Sequence, residues 1–332
     1  MNDEVDAPNL GGARALVTGV AGFVGSHVAE RLLASGVEVV GVDSFTPYYP
    51  AAIKEANLAG FRDHPGFELR RVDLAADALE AHLEGVSVVF HQAAQPGVRS
   101  SWAGGFEVSV TNNVIATQRL LEAAKTVAID RFVYASSSSV YGNATAIPMR
   151  EDGPLRPFSP YGVTKLSGEQ LCTVYAANWG LPTVALRYFT VYGPRQRPDM
   201  ATHRLIQAAL NGTSFPLYAS ADHVRDFTFV EDIVRANLAA AARPLEPGTV
   251  VNVAGGSVVT MSQLMAQVED VTGQALKLDE QGRQAGDVTH TEADLSRAAE
   301  LLGWRPAVKL RDGVEAQVEW HRRFAGLLAQ AV

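Results

Sequence analysis

The chain has 332 residues, 47% of them hydrophobic, enough for a large core and too many for one typical domain, so two lobes sharing one cleft are expected. A formal charge of -8 excludes a general basic surface for nucleic acid and leaves any anionic ligand to local arginines. The single cysteine, Cys172, excludes a disulfide framework and fits a reducing compartment, and no His/Cys cluster has metal-ligand spacing. Residues 1–12 are polar and acidic, without the basic and apolar stretches of a signal peptide, and no apolar run is long enough to cross a bilayer. A cytoplasmic location away from membranes is the expectation.

Residues 13–18 read as a short apolar strand and 22–33 as an amphipathic helix, which puts Gly19, Gly22 and Gly25 in the turn between them. Such a turn lets the backbone approach a pyrophosphate, and the helix N-terminus offers unpaired N–H groups to the anion. The G-x-x-G-x-x-G spacing is one residue wider at its start than the usual dinucleotide fingerprint, and an ordinary turn uses the same residue type. Asp43 supplies the complementary signal. It closes the next apolar run, "VEVVGVD", where a carboxylate binds the adenosine ribose diol and repels a 2'-phosphate, favouring NAD over NADP. Asp73 ends a third strand in "LRRVDL" and fits either an adenine contact or the N-cap of a helix over "AADALEAHL".

The alternation continues with "VSVVFHQAA" as a strand, "VSVTNNVIATQRLLEAAKTV" as a long helix, "RFVYASS" as a strand, a helix carrying Tyr161 and Lys165, and "PTVALRYF" as a strand. Repetition of this kind implies a Rossmann-type, doubly wound parallel sheet with ligands outside the carboxyl ends of its strands. After Tyr188 the order breaks into a helix near "THRLIQAALNG" and short strands at "SFPLYA" and "RDFTFV"; the helix "EDIVRANLAAAA" and strand "TVVNVAG" then read as a return to the sheet. The expected division is 1–188 plus about 230–256 for an NAD-binding lobe, and about 189–229 plus 257–332 for a smaller, interleaved C-terminal substrate lobe.

The chemistry falls at strand ends. Tyr161 and Lys165 stand at i and i+4 of one helix and share a face, so the ammonium and a nicotinamide charge are placed to lower the phenol's pKa from about 10. The phenolate then serves as a base toward a secondary alcohol. Ser137, at the end of "RFVYASS", is placed to hydrogen-bond the same substrate oxygen. A Y-x-x-x-K pair alone fits an amphipathic helix with a surface lysine equally well; the glycine turn and Asp43 reverse those odds.

With these residues in view, the chain resembles the extended short-chain dehydrogenase/reductase family, specifically its nucleotide-sugar epimerases and dehydratases. The matching segments are "VTGVAGFVGSHV", "HQAAQPGVRSS", "SSSSVYG", "YGVTK", "LRYFTVYGPRQRPDM", "VRDFTFVEDIV" and "GDVTHTEADLSRAAELLGWRP", which span nearly the whole length. The resemblance implies a retained NAD, a UDP-sugar between the lobes, and a homodimer built through the long helix near residues 111–127 and the Tyr161 helix. It matches Ser137, Tyr161 and Lys165 to the catalytic trio, and Gly19, Gly22, Phe23, Val24, Gly25, Asp43, Asp73, Leu74, Ala93, Asn113, Tyr161, Lys165 and Tyr188 to positions lining the cofactor.

The same resemblance separates the reactions. Dehydratases of the family carry an acidic pair just after the catalytic hydroxyl residue, and UDP-glucuronate decarboxylases a glutamate; here those positions are Ser138 and Ser139, left as substrate contacts. Neither is a ready general base, so the expectation is 4-epimerisation of a UDP-sugar through a transient ketone. For the sugar, Thr190 replaces the asparagine usual in UDP-glucose 4-epimerases, and Arg197 with "RPDM" resembles UDP-glucuronate 4-epimerases. A hydroxyl with a guanidinium is a carboxylate receptor, which favours glucuronate; pairing of Arg197 with Asp199 instead would leave UDP-glucose, and a uronate decarboxylase is the more distant alternative. Arg225 matches the diphosphate-binding arginine, Asp287 a ribose contact, and Arg99 a further candidate near the sugar, while Gln284 stands where related enzymes place a second phosphate-binding arginine.

Overall fold

The computed structural model describes residue 10 and residues 12–218, 220–282 and 284–328. Most of the polar N-terminal stretch read against a signal peptide lies outside them. In chain order the first half forms β1 (Arg14–Thr18), α1 (Phe23–Ala34), β2 (Glu38–Asp43), α2 (Ala51–Leu58), β3 (Phe67–Arg71) and β4 (Val88–His91). A long helix follows as α3 (Gly105–Val110), a π-turn at Thr111–Ile115 and α4 (Ala116–Ala124), then β5 (Arg131–Ser137), α5 (Pro160–Trp179) and β6 (Thr183–Tyr188). The second half contains β7 (Val191–Tyr192), α6 (Ala201–Asn211), β8 (Ser214–Tyr218), β9 (Val224–Phe229), α7 (Val230–Ala242) and β10 (Thr249–Val253). It ends with β11 (Ser257–Thr260), α8 (Met261–Thr272), β12 (Lys277–Gln281), α9 (Leu310–Arg323) and α10 (Ala325–Leu328).

Seven strands form one sheet in the order β10-β6-β5-β4-β1-β2-β3, and every pairing in it is parallel. Parallel neighbours need crossovers, and helices supply them on both faces, so the strands are apolar on both sides. Alternation along β1 shows this: Ala15 and Val17 enter the core under α1 and α7, while Leu16 enters the opposite core under α4 and α5. Burying one such valine or leucine contributes about 1.5–3 kcal/mol. The strand order reverses between β1 and β4, so the cleft opens there at the carboxyl ends. β10 does return to the sheet beside β6, as read from "TVVNVAG".

The remaining strands are smaller assemblies: β11-β9-β7, antiparallel between β11 and β9, and the parallel pair β12-β8. With α6, α8 and α9 they enclose a separate core around Leu205, Ile206, Phe227, Leu264 and Val314. Two readings require correction. The helix weighed as the alternative reading after Asp73 closes only one turn: the Asp73 carbonyl accepts from the Asp77 N–H at 2.9 Å and its Oδ1 from the Ala75 N–H at 2.8 Å, Asp77 Oδ2 folds back onto the Asp73 N–H at 2.7 Å, and only a short 3-10 turn at Glu80–His82 follows. The long helix runs over 105–124 rather than 108–127 and carries a π-turn in its interior.

Three histidines are buried and a fourth, His27, is half-buried, and all four are held neutral. Burial, first among the causes in each, pushes His27 and His91 from 6.5 down to about 3, His203 to about 4 and His321 to about 2. The unfolded chain binds protons at these sites below pH 6.5 and the native chain does not, so stability rises with pH up to 6.5 and is lost as pH falls below it. Each site contributes at most about 1.4 kcal/mol per pH unit in that window. Asp226, whose buried carboxyl is pushed from 3.8 up to about 6, acts in the opposite sense but is one group against four. Urea unfolding between pH 7 and 5 should therefore show a falling midpoint; a flat profile would mean these rings protonate without unfolding.

Candidate active site

The turn from β1 into α1 is closed by backbone contact. Gly19 has φ +66°, and a Cβ there would lie 2.9 Å from the Ala93 backbone. A Cβ on Gly25 would lie 2.2 Å from the Gly19 carbonyl oxygen, so both positions exclude a side chain. Gly22 is the N-cap of α1 and no side chain caps it, leaving the positive end of the helix open toward the cleft.

Asp43 stands beside this turn. Its Oδ2 accepts from the Ala21 N–H at 3.2 Å, and its Oδ1 accepts from the Phe45 N–H at 2.7 Å and from Lys54 Nζ at 3.3 Å. Both charges of that pair are buried. The next strand end is set by His91. Its Nδ1 meets Thr18 Oγ1 at 2.8 Å and its Nε2 meets Thr117 Oγ1 at 2.9 Å, while Thr117 donates to the Asn113 carbonyl. Thr117 must then accept from Nε2–H, leaving Nδ1 as acceptor for Thr18, whose oxygen receives the Ala93 N–H at 3.1 Å.

Helix α5 starts at Ser159, whose Oγ accepts from the Gly162 N–H at 3.1 Å, with Pro160 in the first turn. It carries Tyr161 and Lys165 beneath the end of β5. Lys165 Nζ donates to the Ala135 carbonyl at 2.8 Å, and burial, opposed by Cys172 and reinforced by Arg197, brings the ammonium down to about 7. Burial pushes the Tyr161 phenol up, while Arg197 and the Ser137 hydroxyl pull it down. The cation acting on the phenol is thus Arg197 rather than Lys165, whose ammonium is turned onto β5. Ser137 Oγ accepts from the Ser139 N–H at 3.1 Å, which folds Ser138 and Ser139 into a tight turn facing the cleft.

One cleft of about 800 Å³ gathers nearly all these residues. Gly19, Gly22, Phe23, Val24, Gly25, Asp43, Asp73, Leu74, Ala93 and Tyr188 line one part of its wall; Ser137, Ser138, Ser139, Tyr161, Lys165, Thr190, Arg197, Arg99, Arg225 and Asp287 also line it. Asn113 does not. Buried in the π-turn, its amide accepts from the Gln95 N–H at 2.6 Å and donates to the Gln95 carbonyl and to Thr164 Oγ1, so it anchors the cleft loop from behind. Arg99 donates to Asp287 Oδ2 at 2.7 Å and lies 4.1 Å over the Tyr218 ring, which groups it with the ribose candidate. Arg225 donates to the carbonyls of Val224 and Val288 at 2.8 and 2.7 Å. Arg197 forms a two-pronged pair with Asp199, both bonds 3.0 Å.

Sequence reading missed Tyr48, Lys54 and Arg204, which also line the cleft. Lys54 follows Asp43 by 11 residues and reaches it because α2 packs back on the turn, with Asn57 donating to the Ala21 carbonyl. No local pattern marks it. Arg204 lies on the amphipathic helix α6, where its spacing from the "RPDM" run was the available signal.

An open helix N-terminus, a glycine turn and a ribose-side carboxylate fit a dinucleotide. The sequence profile of the NAD dependent epimerase/dehydratase family matches residues 15–254. The chain belongs to the NAD-dependent epimerase/dehydratase family. It is 42% identical over 306 residues to YtcB of Bacillus subtilis (strain 168), an uncharacterized UDP-glucose epimerase, covering 92% of this chain and 96% of that protein. It is 35% identical over 318 residues to the UDP-glucuronate 4-epimerase of Thermodesulfobacterium geofontis (strain OPF15), covering 94% and 97%. The crystal structure of UDP-glucuronic acid 4-epimerase from Bacillus cereus with UDP-glucuronic acid and NAD superposes with a TM-score of 0.91 at 41% identity, covering 94% of this chain and 99% of that one.

The glycine turn of this epimerase-family fold gives a direct test of local packing. Gly25→Ala should lower the unfolding free energy by about 1–3 kcal/mol, since the new methyl meets backbone that cannot yield. Gly104→Ala, which meets nothing within 4 Å, should change little. Matching denaturation midpoints for the two variants would show that the turn relaxes.

Proposed function

We propose that the chain interconverts UDP-glucuronate and UDP-galacturonate with tightly bound NAD. The observation that carries this reading is the presence of Thr190 and Arg197 in the same cleft as Ser137, Tyr161 and Lys165, with only hydroxyls at Ser138 and Ser139. NAD, when held by the glycine turn and Asp43, would supply a reversible hydride acceptor for carbon 4 of the sugar, and turning of the 4-keto sugar in the cleft would expose its other face to the returning hydride. Tyr161 takes the proton of the 4-hydroxyl and gives it back and Ser137 holds that oxygen, while Lys165, one turn further along the helix, is held on the Ala135 carbonyl and Arg197 supplies the positive charge that pulls the phenol down. No acid/base group stands at Ser138 or Ser139 to drive loss of water or of carbon dioxide. Arg197 and Thr190 hold the carboxylate, and Arg225 and Arg204 take the diphosphate, the second of these replacing the arginine missing at Gln284. Asp287 and Arg99 serve the nucleotide ribose.

The cofactor belongs to residues 1–188 and about 230–256, with Asp43 and Lys54 at its ribose and Asp73, Leu74, Ala93 and Tyr188 along it. A homodimer fits the apolar side chains left exposed on the long helix and α5, among them Phe106, Val108, Ile115, Val163, Val174 and Trp179. Such residues are unusual on the surface of a monomer when they share neighbouring helices. Among the described residues no helix is long and apolar enough to cross a membrane, and Cys172 is free and buried, which accord with a cytoplasmic enzyme. A second reading, UDP-glucose 4-epimerase, is favoured by the Arg197–Asp199 pair, which neutralises the receptor's charge.

Tyr161→Phe removes the proton acceptor and leaves the cofactor's contacts largely intact; it should keep bound NAD, read by its absorbance after denaturation, and lose about a hundredfold to ten-thousandfold in turnover. Near-native turnover would end the assignment. Arg197→Ala should cost about tenfold to a hundredfold in kcat/KM with UDP-glucuronate, the worth of a charge-assisted pair, and markedly less with UDP-glucose. Equal losses on both sugars would move Arg197 to the phosphates and the enzyme to UDP-glucose.

A further inference from the structure

We propose that Asp199, braced by Tyr48, is a specificity-determining residue: it holds Arg197 by its Nε/Nη2 edge and thereby presents the Nη1/Nη2 edge of the guanidinium to the sugar carboxylate. This rests on the uronate reading above and deepens it. A guanidinium carries five N–H donors in a rigid fork, and a carboxylate takes two of them along one edge. In this structure Nε and Nη2 donate to Asp199 Oδ1 and Oδ2, each at 3.0 Å. Among the described residues no acceptor is bonded to Nη1, so the Nη1/Nη2 edge keeps the donors a second carboxylate needs.

Asp199 is itself held. The Tyr48 hydroxyl donates to its Oδ2 at 3.2 Å, from the segment between β2 and α2 that also carries the surroundings of Asp43. Tyr48 is confined in turn by the loop after β4: a Cβ on Gly97, whose φ is +112°, would lie 3.0 Å from the phenol oxygen. The brace therefore runs from the cofactor side of the cleft to the sugar side, and Tyr48, Arg197 and Asp199 all line it. An unbraced arginine would have to surrender the freedom of its long side chain when the carboxylate binds; one already ordered by two bonds loses less.

The contrary role is that of a competitor, in which Asp199 occupies the guanidinium until the substrate carboxylate displaces it. The two roles predict opposite signs. If Asp199 is a brace, Asp199→Ala should raise the KM for UDP-glucuronate about tenfold, the worth of one lost charge-assisted positioning contact. The change with UDP-glucose, which has no carboxylate to place, should be several times smaller. Asp199→Asn, which keeps one acceptor for the fork, should recover part of the loss, and Tyr48→Phe should show the same preference at smaller size.

These measurements use the full-length protein, with initial rates on both sugars. A lower KM for UDP-glucuronate in Asp199→Ala would make Asp199 a competitor and overturn the proposal. Equal changes on the two sugars, in Asp199→Ala and Tyr48→Phe alike, would reduce the contact to general packing and overturn it too. A native enzyme that turns over UDP-glucose but not UDP-glucuronate would refute the uronate reading itself, a result seen without any variant.

Discussion

The placement of α5, the helix that carries Tyr161 and Lys165, depends on one buried ion pair. Glu169, one turn beyond Lys165 on α5, accepts from Arg187 on β6 through both oxygens, at 2.6 and 3.0 Å, and also accepts from Ser136 Oγ on β5 at 2.8 Å. Both charged side chains are 3% exposed or less, so neither is shared with water. Desolvating them is costly, and only a pair with its hydrogen bonds filled repays that cost; breaking such a pair typically costs about 3–5 kcal/mol. Arg187 fills its remaining donors with the Tyr141 hydroxyl at 2.7 Å and the Glu151 carbonyl, and Tyr141 donates to Asn252 on β10. Three strands, β5, β6 and β10, are thus fixed around α5, and the sequence neighbours of these anchors are Ser137, Tyr188 and, a turn away, Lys165.

The cleft that results is rich in cations held at fixed distance from one another. Arg99, Arg197 and Lys54 each lean on a carboxylate, and Arg225 leans on backbone carbonyls instead. This keeps the walls ordered before an anionic, diphosphate-bearing ligand arrives, a preorganisation that limits the rearrangement binding requires. Beneath the cations lies a neutral layer. His91, fixed as a single tautomer between Thr18 and Thr117, joins β1, β4 and α4 and locks the Ala93 backbone against Gly19.

Much of this was legible in the order of residues. Gly19, Gly22 and Gly25 with Asp43 announced a dinucleotide turn because a turn and the strand before it are set by local geometry. The parallel sheet followed from β-α alternation, including the return of "TVVNVAG" beside β6. Tyr161, Lys165 and Ser137 were readable because strand ends in such a sheet converge on one edge. For Asp73 two readings stood open, and the fold puts it both in the cleft wall and at the start of a single helical turn that stops at Asp77.

What the sequence by itself determined was therefore the periodic part: which segments are strands and helices, which ends face a cleft, and which residue types arrive there. Only the tertiary structure decided the pairings between distant segments. Lys54 on Asp43, Tyr48 on Asp199 and Arg99 on Asp287 join residues 11, 151 and 188 positions apart. Asn113 was drawn behind the cleft rather than into it for the same reason, because a buried amide must satisfy its donors and acceptor with whatever backbone the fold brings near. Local periodicity encodes a residue's face, whereas the partner on that face is set by how the layers close.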